Sequence, residues 1–227
     1  MRRLVPVALF ACAMAFLEAA VVLYLRRLVG VVEPWRDPGT FDATIATVEF
    51  CREAATLLMF ATLGWACGRN ARSRTGFAFF AFGVWDILYY AWLKVLLGWP
   101  ASLLTPDILF LIPLPWWGPV ITPVLVALLL AGSGAAVVLL DDRGRRVRPR
   151  LADWVLMAAG VALILDAFMA DAIAVLPASA ETLAGLRPSA FHWWTYLAGL
   201  ALLAAGLGRP LVRARNEGGQ GDPVRDR

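Results

Sequence analysis

Glu49, Arg52 and Glu53 stand at i, i+3 and i+4 within an otherwise apolar segment, so on a helix these three ionisable side chains share one face. Holding a charge at the centre of a bilayer costs about 3 kcal/mol or more, so such residues turn toward a bundle interior and mark ligand, proton or ion sites. Glu18, Asp86, Asp166 and Asp171 occupy comparably apolar settings, and Tyr89 and Tyr90 follow Asp86 at i+3 and i+4. A carboxylic acid among apolar neighbours can keep its proton at neutral pH and pass it to a substrate. Glu53, Asp86 and Asp166 are therefore the candidate acids and bases. Glu18, Glu49, Arg52, Tyr89, Tyr90, Lys94 and Asp171 are the candidate ligand-binding groups. Arg26, Arg27 and Arg52 can hold a phosphate or carboxylate, although Arg26 and Arg27 also fit simple snorkelling at a helix end.

These acids outnumber the cations near them, so either some stay protonated or a cation binds. Glu18, Glu53, Asp86 and His192 form a candidate set for a divalent metal, but the chain lacks the Glu-x-x-His repeat of carboxylate-rich bundles. A single histidine leaves no basis for bis-histidine haem. No Gly-rich phosphate loop, Gly-x-Ser-x-Gly elbow or His-Glu-x-x-His pattern occurs, so no nucleotide, serine nucleophile or zincin chemistry is expected. The competing structural explanation for Glu49, Arg52 and Glu53 is an ion pair that fixes helix packing, or a wetted helix end.

The elements that must carry these groups follow from composition. Of the 227 residues, 60% are hydrophobic and 17% charged, against about 25% charged in soluble domains, and the mean hydropathy is +0.69. Several apolar runs reach the roughly 20 residues needed to cross the hydrocarbon core. The fold class expected is all-α, a polytopic membrane bundle of six transmembrane helices: Leu4 to Leu25, Thr44 to Cys67, Thr75 to Leu97, Val120 to Leu140, Leu151 to Leu176 and Ala190 to Gly208. The first run resembles a secretory signal, with small residues at Ala11, Ala13 and Ala15, but its apolar character continues through Leu23, as in a retained helix.

Pro34 and Pro38-Gly39 break the connection after the first span. Between the third and fourth spans, Pro100, Pro106, Pro113, Pro115 and Pro119 forbid one continuous helix. There Thr105-Pro106-Asp107 reads as an N-cap, a proline at the first position and an acid in the first turn. A short interfacial or re-entrant helix from Asp107 to Ile112 is expected. Residues 1–208 form the transmembrane domain, and 209–227 a polar tail, rich in Gly and expected to be disordered. Cys12, Cys51 and Cys67 show no metal or redox spacing and read as small apolar fillers.

Six spans place both termini on one side, together with all of the 21 basic residues except Arg26, Arg27, Arg36, Arg52, Lys94 and Arg187. That side is cytoplasmic by the positive-inside rule, which implies a bacterial-type inner membrane and a topological rather than nucleic-acid-binding role for the positive charge. The ionisable residues of five spans then share the middle and outer depth. Small residues at Gly132 to Ala136, Ala158 to Gly160 and Ala204 to Gly206 fill the inner half, where they allow close helix approach. Trp92, Trp99, Trp116, Trp117, Trp193 and Trp194 map near the outer surface, as an interfacial belt or, for one or two of them, as part of the pocket.

The expected shape is a cup closed inward and open outward, an acidic and aromatic pocket for a small molecule or lipid-like ligand. Its expected chemistry is acid–base or metal-assisted. The alternatives are a substrate-binding or transport subunit working with a membrane-protein partner, and a structural subunit of a membrane complex. The polar trail that stops halfway, without an inverted repeat, disfavours an independent transporter.

Overall fold

The computed structural model describes residues 2–29, 43–110, 112–177 and 190–217. These form six helices and one hairpin: α1 (Leu4–Val29), α2 (Ala43–Cys67), α3 (Ala71–Leu97), β1 (Pro106–Phe110), β2 (Trp116–Pro119), α4 (Ile121–Asp142), α5 (Leu151–Ala174) and α6 (Trp193–Glu217). Five helices, all but α2, are long and apolar enough to cross a membrane. The charged triad at Glu49, Arg52 and Glu53 lies on α2. The connection at 30–42 with Arg36, the loop at 178–189 with Arg187, and residues 218–227 of the tail lie outside the described residues.

Helix α3 is the hub, packing against α1, α2 and α4, while α5 pairs with α6 and joins the rest through α4 and β2. The hub has firm ends. Asn70 caps it by accepting from the Ser73 amide, and Ser73 Oγ accepts in return from the Asn70 amide, a reciprocal capping arrangement. At the other end Gly98 takes the left-handed conformation at φ 67 that ends many helices. Val7, Ala11, Ala15 and Ala19 recur every four residues along α1 and are buried. Three of these are alanines, which lets α1 lie close to Phe77, Ala81 and Trp85 of α3.

The small-residue runs do form helix crossings. A Cβ on Gly134 would lie 2.5 Å from the Gly76 carbonyl oxygen of α3, and one on Gly160 would lie 2.6 Å from the Leu203 amide of α6. Only glycine permits those approaches. Leu9, Leu17, Leu58, Trp65 and Val155 are exposed on the outside of the bundle.

One end of the bundle is tied together by arginines and polar caps. Arg3 pairs with Asp142 at 2.9 Å and donates to the Cys67 carbonyl. Asn70 donates to both Asp141 carboxylate oxygens at 3.0 Å, and Arg145 donates to the Arg215 carbonyl at 2.8 Å. Asp153, 1% exposed, accepts from the Arg150 amide at 2.7 Å and from Arg213, with Arg209 at 3.7 Å. The start of α1, the α2–α3 turn, the α4–α5 connection and the end of α6 therefore meet.

Two expectations are corrected. Residues 107–110 do not begin a helix: β1 and β2 pair antiparallel, Asp107 opposite Gly118 and Ile108 opposite Trp117. Pro113 and Pro115 oppose a helix through the connection, and the aromatic and β-branched side chains of the two segments suit a cross-strand ladder. These effects outweigh the local helix-start signal. Helix α6, moreover, does not end at Gly208 but continues to Glu217 with Pro210 inside it. An interior proline costs about 3 kcal/mol. Leu211 and Ala214, packed with Leu140 and Val147, and Arg209 and Arg213, drawn to Asp153, offset it.

Candidate functional site

The end of the bundle opposite the arginine cluster gathers the ionisable groups of α1, α2, α3 and the hairpin. Arg52 pairs with Glu18 of α1 and, within its own helix, with Glu49 at 2.7 Å. The i, i+3 spacing read in the sequence thus becomes a three-residue bridge between two helices. Glu53 lies on the buried face of α2 with Thr56 and Phe60, and Phe60 meets Phe82 and Trp85 of α3 at ring distances of 5.6 and 5.4 Å.

Aromatic rings lead from there toward the hairpin. Trp85 stacks on Tyr89 at 6.0 Å, Tyr89 meets Tyr90 edge-on at 5.2 Å, and Tyr90 faces Trp99 at 6.3 Å. The Arg26 guanidinium lies 4.4 Å from the Trp99 ring, a cation–π contact. This contact gives Arg26 a definite place in the site, beyond the snorkelling that also fits its position in the sequence.

Asp107 is the group that the sequence reading missed. It is 6% exposed and accepts a hydrogen bond from the Tyr90 hydroxyl at 3.0 Å. Burial pushes its carboxyl up to about 7, against the opposing pulls of the Tyr90 hydrogen bond, Arg26 and a backbone hydrogen bond at Ile108. Asp86, one turn before Tyr90, is near enough for its charge to interact with that of Asp107. The Tyr89 phenol lies in electrostatic range of Asp107, Arg52, Arg26 and Asp86 alike. Tyr89 therefore links the Glu18–Arg52–Glu49 bridge to the Asp86–Asp107 pair. The signal for Asp107 was present in the sequence: it is an acid in the apolar stretch from Leu103 to Ile112, and the cost of an unpaired charge applies there as it does in a span.

Several buried donors around this group have no partner within the described residues. They are the indole N–H groups of Trp85 and Trp99, the Thr56 hydroxyl and the Arg26 Nε. Buried polar groups in folded proteins are nearly always hydrogen-bonded. Trp85 directly precedes Asp86 in the chain and Trp99 packs against Tyr90, so these two N–H groups adjoin the group around Asp107.

Not every candidate joins this group. Asp166 is exposed, because α5 buries Gly160, Ile164, Ala167 and Phe168 and a residue two positions from Ile164 points the other way. His192 is exposed just before α6, far along the chain from the hub, and Asp171 is half-buried on α5. The expected metal set of Glu18, Glu53, Asp86 and His192 does not assemble: among the described residues no three His, Cys, Asp or Glu side chains gather in ligating geometry. The cup built from five helices is therefore replaced by a site on three helices and a hairpin. Lys94 folds onto the carbonyls of Gly98 and Pro100 rather than toward Asp86. Of the outer tryptophans, Trp99 and Trp117 are buried, whereas Trp194 is 87% exposed.

No protein-family model matches this chain, and no curated protein or solved structure matches it either.

Proposed function

We propose that the chain is a six-span protein of a bacterial-type inner membrane with both termini cytoplasmic, and that its extracytoplasmic end carries an acid–base site for a small or lipid-like ligand. The observation that carries this reading is the buried Asp107 carboxyl holding the Tyr90 hydroxyl, with Asp86 beside it and Arg26 and Arg52 at its edges. The arginine-rich opposite end supports the orientation through the positive-inside rule.

In this reading the ligand passes a proton to the Tyr90 oxygen as the Tyr90 hydroxyl proton moves to the Asp107 carboxylate, and the reverse relay returns it. Asp86 supplies the second carboxyl of the pair. Arg26 and Arg52 hold negative charge that develops on the ligand. Glu18 and Glu49 fix Arg52 in place.

Ligand screening by thermal shift on the purified protein tests the site. A true ligand at about a hundred times its Kd adds about 2.7 kcal/mol of stability. That shift is expected in the wild type and is expected to vanish in Asp107→Asn and Asp86→Asn, with their unliganded melting temperatures no lower than wild type. Collapse of both variants in the absence of any ligand would favour a structural role for the acids instead.

A further inference from the structure

Beside the polar group, α3 and α4 leave an open cleft of about 380 Å³. Ile87, Tyr90, Ala91 and Lys94 line it from α3, at i, i+3, i+4 and i+7 and hence as one stripe. Val124 lines it from α4 and Val120 from the residue before that helix, and the turn at 100–103 closes one end.

Three features define what fits. The walls are apolar and carry no acid, and the neighbouring Val95, Leu103 and Leu104 are 72, 56 and 64% exposed, so the mouth opens onto an apolar surface suited to lipid. Lys94 sets a positive charge at the edge. Its ammonium donates to the carbonyls of Gly98 and Pro100 at 3.1 and 2.8 Å, which uses two of its three protons and leaves one for an outside acceptor. The volume lies at the small end of ligand pockets. It accommodates a headgroup and the first chain segments but not a whole two-chain lipid, and the open mouth lets the remainder stay in the bilayer.

We propose that this cleft binds a membrane lipid with an anionic headgroup, the headgroup on Lys94 and the first methylenes against Ile87, Ala91 and Val124. A free anion in water would gain one exposed ammonium and lose its hydration to apolar walls, so the lipid is the better occupant. Tyr90 belongs to both places, since its ring lines the cleft and its hydroxyl holds Asp107. The bound lipid thus lies against the phenol of the acid–base pair. Naming it as the ligand of that pair rests on the function proposed above, whereas occupancy of the cleft does not.

The full chain in an uncharged detergent, titrated with phosphatidylglycerol, phosphatidylcholine or inorganic phosphate and read by native mass spectrometry, tests this. One phosphatidylglycerol retained per chain, in preference to phosphatidylcholine, is expected. Lys94→Gln, which keeps a donor but loses the charge, should weaken retention about fivefold, Lys94→Arg should restore it, and Ala91→Trp, which fills the cleft from an exposed position, should abolish it. Equal retention of both lipids, indifference to Ala91→Trp, or displacement by an equal concentration of inorganic phosphate would overturn the proposal. Asp107→Asn separates the two readings: retention is expected to survive it, and loss of retention would overturn the separation of cleft from acid–base pair. If the ligand-induced thermal shift also persists in Asp107→Asn, the acid–base reading fails while the cleft stands.

Discussion

The two ends of the bundle treat buried charge in opposite ways. At the arginine-rich end each acid has cationic or amide partners: Asp153 has Arg150, Arg209 and Arg213, Asp142 has Arg3, and Asp141 has Asn70. At the other end Asp107 is held by a phenol, Asp86 stands near a like charge, and the buried indole N–H groups of Trp85 and Trp99 lack hydrogen-bond partners among the described residues, as Arg72 Nε and Asp153 Oδ1 do at the arginine-rich end. The first arrangement fixes helices in register. The second leaves hydrogen-bonding capacity unspent in an apolar setting, which a protein keeps where something else is to bind.

Substitutions at the two ends should therefore differ in kind. The largest effect on stability is expected from Asp153→Ala, which strands two arginines at the junction of α5 and α6. Its melting temperature should fall further than that of any other variant named here, and ligand-induced stabilisation should persist in whatever remains folded. Arg52→Gln comes next, because it leaves Glu18 and Glu49 facing each other across α1 and α2. A loss of about 2 kcal/mol is expected in chemical denaturation, and adding Glu18→Gln should recover part of it. No recovery in the double variant would mean that Arg52 acts through packing and not through charge.

The most specific effect is a pH dependence. Asp107 ionises near 3.8 in the unfolded chain and near 7 in the fold, so between those values the folded state binds more protons and stability falls as pH rises. Above about pH 7 the dependence levels off. Asp107→Asn should flatten the slope of melting temperature between about pH 4 and about pH 7, and an unchanged slope would assign that titration elsewhere.

What could be read in the sequence was whatever depends on neighbours along the chain. Except at the end of α6, span boundaries fall within a few residues of the helices because apolar length is a local property, and Glu18, Arg52, Asp86, Tyr89 and Tyr90 stood out because a charge or phenol in an apolar run carries its cost with it. Depth along a span does not fix the angle around a helix, so the sequence did not show that Asp166 and His192 are exposed. The hairpin stayed hidden because Asp107 and Gly118 meet only by cross-strand pairing. The last turns of α6 stayed hidden because they are held by Asp153, distant in the chain.

The hairpin also sets how the site can move. Trp116 of β2 stacks on Phe168 of α5 at 6.0 Å, while β1 delivers Asp107 to Tyr90 of α3, and the ladder between them ties both contacts to one short ribbon. The ribbon is a strut wedged between two helices. A backbone shift that draws Asp107 away from the phenol would therefore also disturb the Trp116–Phe168 contact. The position of the carboxyl is in this way tied to α5, a helix that contributes no residue to the Asp107–Tyr90 group.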